Sequence, residues 1–146
     1  MVGRSFAVAA VVLGAAGLAP LAAQAACHKP WAAWKAAPAT PGQLDELLAD
    51  AGCSDDLLAY AREGYNGENI LFLRAVAGGQ DKKAIYNKYI APNAPSSINI
   101  AGPTRAALTA VAVRGNWERL NFTQAVAEIR ALVLRDTLIR YYNSKP

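Results

Sequence analysis

The stretch Gly64-Tyr65-Asn66-Gly67-Glu68-Asn69-Ile70-Leu71-Phe72-Leu73 decides the reading of this chain, because a polar turn passes there directly into an apolar run. Asn66 stands where a side-chain oxygen can take a free backbone N–H at a helix start. Glu68 suits the positive end of the helix dipole, and Ile70 to Leu73 begin a buried segment. Tyr65, Glu68 and Asn69 are expected to sit exposed at the helix mouth. Capping accounts for Asn66 and Glu68, but an aromatic, a carboxylate and a second amide crowded into one turn exceed what a cap requires.

Helical signals continue on both sides of this stretch. Thr40-Pro41-Gly42-Gln43 opens a helix with a cap, a proline where its missing N–H costs nothing, and a glutamine placed to close a capping box. Leu44, Leu47 and Leu48 form its stripe and Gly52 is placed to stop it. Ser54 with Asp55 and Asp56 opens a second short helix, which turns Leu57, Leu58 and Tyr60 inward and closes at Gly64. The helix from Asn66 ends at Gly78-Gly79. Another, opened by Asp81, carries Ile85, Tyr86, Tyr89 and Ile90 and ends before Pro92. After a polar loop from Pro92 to Pro103 come a helix over Thr104 to Val113 and one from Asn121, where Phe122, Ala125, Val126, Ile129, Leu132 and Val133 share a face. Asp136 is placed to cap a last helix, Leu138 to about Asn143. Consecutive helices with short joints and no strand-like alternation predict an all-α domain.

At 146 residues, with 53% hydrophobic and 18% charged composition, the chain is one domain's worth and can fill a core. Part of that hydrophobicity belongs to residues 1–25. Arg4, the uncharged run Phe6 to Leu21 and Ala23-Gln24-Ala25 match the three parts of a cleaved signal peptide, so the protein is expected to be exported, to a periplasm or the exterior. An uncleaved anchor is opposed by the Ala- and Gly-rich content and Pro20. Lipid attachment at Cys27 is opposed by Gln24, where a lipobox has Leu. After cleavage no stable membrane span is expected. Loss of Arg4 takes the net charge from +4 to +3. Basic residues scattered among acids do not make a nucleic-acid surface. Residues 26–39 form an Ala-, Pro- and Trp-rich segment, in which the spacing of Trp31 and Trp34 places both on one face of a short helix as a lid. Residues 40–146 make up the domain proper. Cys27 and Cys53 are the only cysteines; in an oxidising compartment they are open to a bridge, and a buried free Cys53 fits the sequence equally. With one histidine, no metal set is expected.

Several clusters together resemble the regulator of G-protein signalling (RGS) domain. Tyr65, Glu68 and Asn69 before Ile70-Leu71-Phe72 resemble its signature turn. Ile85-Tyr86-Asn87 with Tyr89-Ile90 resembles its Ile-Tyr-Asn-x-Phe-Ile helix, and Ile98-Asn99-Ile100 with Thr104-Arg105 its Val-Asn-Leu loop and following Thr-Arg. Leu132, Arg135-Asp136-Thr137-Leu138 and Arg140-Tyr141 resemble its final Leu-x-x-x-Asp-Ser-x-x-Arg-Phe. The likeness runs from about Leu44 to Ser144. It departs from the family at Gly64, at Leu73, in the short joint Ala77 to Asp81 and in the aliphatic Ala106 to Val113. The resemblance implies a four-helix bundle formed by the helices from Asn66, Asp81, Thr104 and Asn121, with the remaining helices as a second layer. It implies contact with a G-protein α subunit through Tyr65, Glu68, Asn69, Asn99, Leu132, Asp136, Thr137 and Arg140.

The implied activity is acceleration of GTP hydrolysis, since the GTPase brings its own water-orienting Gln and Arg and needs only its switches held. No cofactor follows from this, and no Ser-His-Asp set or P-loop stands in the sequence, so an activator rather than an enzyme is expected. Each residue also has a local account. Asp136 can cap, Arg140 can pair with Asp136 at i,i+4, Asn99 can satisfy loop backbone, and Leu132 lies on an apolar face. An exported helical module binding an unidentified envelope or extracellular protein is the second class of function. Mass spectrometry of the protein from its own host is expected to find a chain beginning near Ala26; an intact Met1 would refute export by a cleaved leader.

Overall fold

The computed structural model describes residues 26–146; the leader assigned to residues 1–25 lies outside them. The described residues are helical, with no strand. They form α1 (Trp31–Lys35), α2 (Pro41–Ala49), α3 (Ala51–Glu63), α4 (Gly67–Ala77), α5 (Lys82–Tyr89), α6 (Gly102–Val113), α7 (Thr123–Leu132) and α8 (Leu138–Ser144). A 3-10 turn, Trp117–Arg119, precedes α7, and a π turn, Val133–Thr137, joins α7 to α8. No described helix is long and apolar enough to cross a membrane.

The expected capping box is present: Thr40 Oγ1 accepts from the Gln43 N–H at 3.2 Å, and Gln43 Oε1 accepts from the Thr40 N–H at 3.0 Å. Asp81 caps α5 by accepting from the Ala84 N–H at 2.8 Å. Between α2 and α3 the boundary differs from the glycine stop read in the sequence. Asp50, in extended conformation, ends α2 and caps α3 by accepting from the Cys53 N–H at 2.8 Å. Gly52 therefore lies inside the first turn of α3, which starts three residues before Ser54. An aspartate that can satisfy a free N–H sets the boundary more strongly than a glycine in a first turn weakens it.

Asp136 does not begin a new helix either. α7 runs without a break through the π turn into α8, and Asp136 sits within that turn with no capping role. Asn121 accepts from the Thr123 N–H at 2.9 Å, but Gln124 turns away and donates to Glu128 at 3.1 Å, so no capping box forms. The start of α6 is instead served from α7. Glu128 accepts from the Ala101 N–H at 2.6 Å and the Thr104 hydroxyl at 2.5 Å. The Thr104 hydroxyl and the Ala101 N–H hold the Glu128 carboxyl below the usual range.

α4 lies at the middle, packed on α3, α5 and α7, while α6 packs on α7. Phe72 on α4 is fully buried, with Tyr89 and Phe122 meeting its ring edge-on at 5.7 and 6.2 Å. Burying a ring of this kind contributes about 1.5–3 kcal/mol before any pairing geometry is counted. Arg130 grips Asp45 with two hydrogen bonds of 2.5 and 3.0 Å, tying α7 to α2, and Arg74 reaches Asp55 at 2.7 Å, tying α4 to α3.

The amino-terminal segment forms a strap over α3 and α8. Cys27 is bridged to Cys53, which is buried, and no described cysteine is free. Trp31 meets Tyr141 edge-on at 5.5 Å and Trp34 meets Tyr142 at 5.6 Å, so the tryptophans are a lid on α8 as their spacing implies. Beneath them the Tyr141 hydroxyl donates to Asp56 at 2.8 Å, and the Lys145 ammonium, an ion-pair partner of Asp56, lies 4.5 Å from the centre of the Tyr141 ring. Burial alone would raise the Asp56 carboxyl, but the donors Lys145 and Tyr141 outweigh it and leave it below its ordinary value. Burial pushes the Tyr141 hydroxyl well above the ordinary tyrosine range, and the Asp56 acceptor adds to the shift.

A five-residue helix with no buried side chain of its own cannot hold this position unaided. The bridge closes a loop of 26 residues, for which chain entropy gives about 3 kcal/mol. Replacing Cys27 and Cys53 by serine and alanine is expected to lower unfolding stability by about that amount in urea titrations, with the helical circular dichroism of the folded state nearly unchanged. An unaltered midpoint would show that the bridge contributes nothing.

Candidate protein-interaction site

The turn between α3 and α4 is built as a helix C-cap with a tyrosine in the place usually given to glycine. The Tyr65 N–H donates to the Arg62 carbonyl at 3.1 Å and the Asn66 N–H to the Ala61 carbonyl at 2.8 Å, the paired bonds of a Schellman cap. The left-handed residue of that cap is Tyr65, at φ +58°, and Gly64 before it keeps an ordinary negative φ. At the end of α4 the same pair of bonds is made around Gly79, at φ +63°, which meets no steric penalty there. For a side chain with a Cβ the left-handed region costs about 1–2 kcal/mol. Asn66, expected to cap α4 through its side chain, makes no such bond, because its backbone is already committed to closing α3.

The left-handed turn leaves the Tyr65 ring 91% exposed. Beside it Gly67 starts α4 in close contact with α3: a Cβ there would lie 2.7 Å from Arg62 Cγ. Arg62, Tyr65, Glu68 and Leu71 form one wall of an open cavity of about 400 Å3, and Pro95, Ser96 and Ser97 form the other. The loop after α5 is thus brought against the mouth of α4, although the two are separated by a whole helix in sequence.

Arg105, on α6, holds that loop. Its guanidinium donates to the carbonyl of Ile90 and, at 2.6 Å, to that of Ile98, with Ser97 Oγ at 3.4 Å. The Ile98 N–H donates to the Tyr89 carbonyl at 3.0 Å and the Ser96 N–H to that of Lys88 at 3.1 Å. Ile98 and Ile100 are buried, and Asn99 between them is exposed. The alternation is that of an extended segment pegged by every second side chain. The Thr-Arg pair was visible in the sequence, but the role of Arg105 as the loop's anchor was not, since its acceptors are main-chain carbonyls that no pattern of side chains marks.

Asn69 differs from the expectation of an exposed amide. It is only 7% exposed, and its Oδ1 is buried with no hydrogen-bond partner. Three and four residues on along the same helix face stand Phe72 and Leu73, both in the core, so helix geometry carries Asn69 inward with them. A buried carbonyl left unpaired costs about 1–3 kcal/mol.

Asp136 and Arg140 pair at 2.6 Å across one turn, both about half exposed, a surface i,i+4 pair contributing a few tenths of a kcal/mol. Thr137 beside them is buried and faces the interior, and Leu132 is partly buried against the core. The structure therefore gathers Tyr65 and Glu68 with the 95–97 loop. No cavity or hydrogen bond among the described residues joins them to Leu132, Asp136, Thr137 or Arg140. Among the described residues there is no group of three or more His, Cys, Asp or Glu side chains that could hold a metal ion. No protein-family model matches the chain, and no curated protein matches it.

Tyr65→Gly is expected to raise unfolding stability by about 1 kcal/mol, because glycine takes the left-handed cap without strain. Differential scanning calorimetry of the variant beside the parent measures it; a lower melting temperature would mean that the exposed ring contributes to folding after all.

Proposed function

We propose that this protein is an interaction domain of RGS-like architecture that docks through the face formed by the α3–α4 turn and the loop before α6. We propose further that its partner is a G-protein α subunit, whose GTP hydrolysis it accelerates. The observation that carries the docking face is Tyr65. A tyrosine in a cap position where Gly79 does the same structural work weakens the fold while putting a large ring into solvent. Strain retained at an exposed aromatic, opposite a loop clamped by Arg105, is the arrangement of a prepared contact surface. Packing of α4 on α5 and α7, and of α6 on α7, supports the bundle implied by the family resemblance. In this reading Tyr65, Glu68 and Asn99 touch the switch segments, and the amide of Asn99 braces a switch backbone by donating and accepting at once. The chain supplies no acid–base group; it stabilises an arrangement the GTPase already reaches.

The disulfide favours a second reading. A bridged Cys27–Cys53 pair belongs to an oxidising compartment, in line with export, and there the same face would meet an envelope or extracellular protein. Single-turnover GTP hydrolysis by an inhibitory-class α subunit distinguishes the two. The oxidised domain is expected to accelerate it, and Tyr65→Ala and Asn99→Ala each to lower that effect about tenfold, the loss of about 1.4 kcal/mol that truncating an interface anchor brings. Both variants should keep their folding stability. A folded parent protein that neither binds the transition-state-mimic form of several α subunits nor accelerates hydrolysis leaves the envelope partner as the function.

A further inference from the structure

A second cavity, of about 430 Å3, opens on a different part of the molecule, between the strap and the π turn. Its volume lies within the range of small-ligand sites, about 300–1,000 Å3. Residues 37–39 form one side, and Leu134, Ile139 and the ring of Tyr142 form the other. The lining is apolar in its body and basic at its rim, where Lys35 and Arg135 are the only charged side chains and Asn143 adds an amide.

Five features of this cleft bear on what it could hold. Ile139 is 46% exposed, one of the few large aliphatic side chains left in solvent. Tyr142 is nine-tenths buried or more, and its hydroxyl has no hydrogen-bond partner. Arg135 makes no hydrogen bond or ion pair among the described residues, whereas Arg130, a turn and a half earlier, is fully engaged by Asp45. Lys35 stands at the rim, with its ammonium engaged by the main-chain oxygens of Lys145 and Pro146. Finally, the wall that carries Leu134 and Arg135 is the π turn itself, a widened turn of a kind frequent at functional sites.

We propose that this cleft binds a small amphipathic anion, a medium-chain aliphatic carboxylate. The chain would lie along residues 37–39, Leu134 and Ile139 against the Tyr142 ring, and the carboxylate would meet Arg135, with the Lys35 charge nearby at the rim. A cation is disfavoured by two basic rim residues without a lining acid, and a neutral alcohol offers Arg135 one acceptor but neither the charge nor the second oxygen of a carboxylate. The site shares no residue with the docking face around Tyr65, so either can fail without the other.

Titration of the disulfide-bonded protein with octanoate, octanol and octylammonium, followed by calorimetry and by amide chemical shifts, tests it. Octanoate is expected to bind saturably with shifts confined to residues 35–39 and 134–143, and the other two at least tenfold more weakly. Arg135→Glu should weaken octanoate at least tenfold, and Arg135→Ala should weaken it too, which guards against a folding effect of the charge reversal. Absence of saturable octanoate binding, equal affinity for octanol, shifts centred elsewhere, or indifference to Arg135→Glu would each overturn the proposal.

Discussion

The carboxylate of Asp56 is the constraint on which the outer half of the molecule depends. It receives the Tyr141 hydroxyl and the Lys145 ammonium, and the Tyr141 ring in turn seats Trp31 at 5.5 Å and Tyr60 at 5.5 Å. Three parts of the chain that are remote in sequence are thereby fixed to one another: the strap, α3 and the end of α8. A partly buried carboxylate left without these donors would be costly, so the aromatic cluster and the ion pair stabilise each other. An amide in place of Asp56 would keep the shape and lose the charge that Lys145 requires.

Much of this architecture is legible in the sequence because it is local. The Thr40–Gln43 box, the Asp81 cap and the leucine stripe of α2 follow from residues three or four apart, and each is present. Where local rules misled, two of them competed at one place. Gly52 was a candidate stop, but Asp50 offered a cap and prevailed. Asn69 was grouped with the polar residues before it, yet it shares a face with Phe72 and Leu73, which decided its burial. The π turn had no sequence mark, since Asp136 looks like a cap wherever the helix before it is assumed to end. In the same way Tyr65 cannot be read as left-handed when Gly64 stands next to it.

The face around Tyr65 and the strap cleft show two ways of arranging a surface. At the first, ordering is complete in the free protein: Arg105 holds the loop, Ile98 and Ile100 peg it, and Glu128 fixes the start of the following helix. A partner meeting that face need not bear the entropy of ordering it. At the second, groups are left with capacity to spare, notably the Arg135 guanidinium and the Tyr142 hydroxyl. The first arrangement suits recognition by shape, the second recognition by charge and apolar length.

The bridge and its seat are built on different length scales. Cys27 and Cys53 are 26 residues apart, whereas Lys35 meets Lys145 across 110. Covalent closure and docking of the last helix therefore have different requirements: the first needs only residues 27–53, whereas the second needs the strap and the far end of the domain together. A bridge spanning a short loop can thus hold the tryptophans close to α3 whether or not α8 is in place.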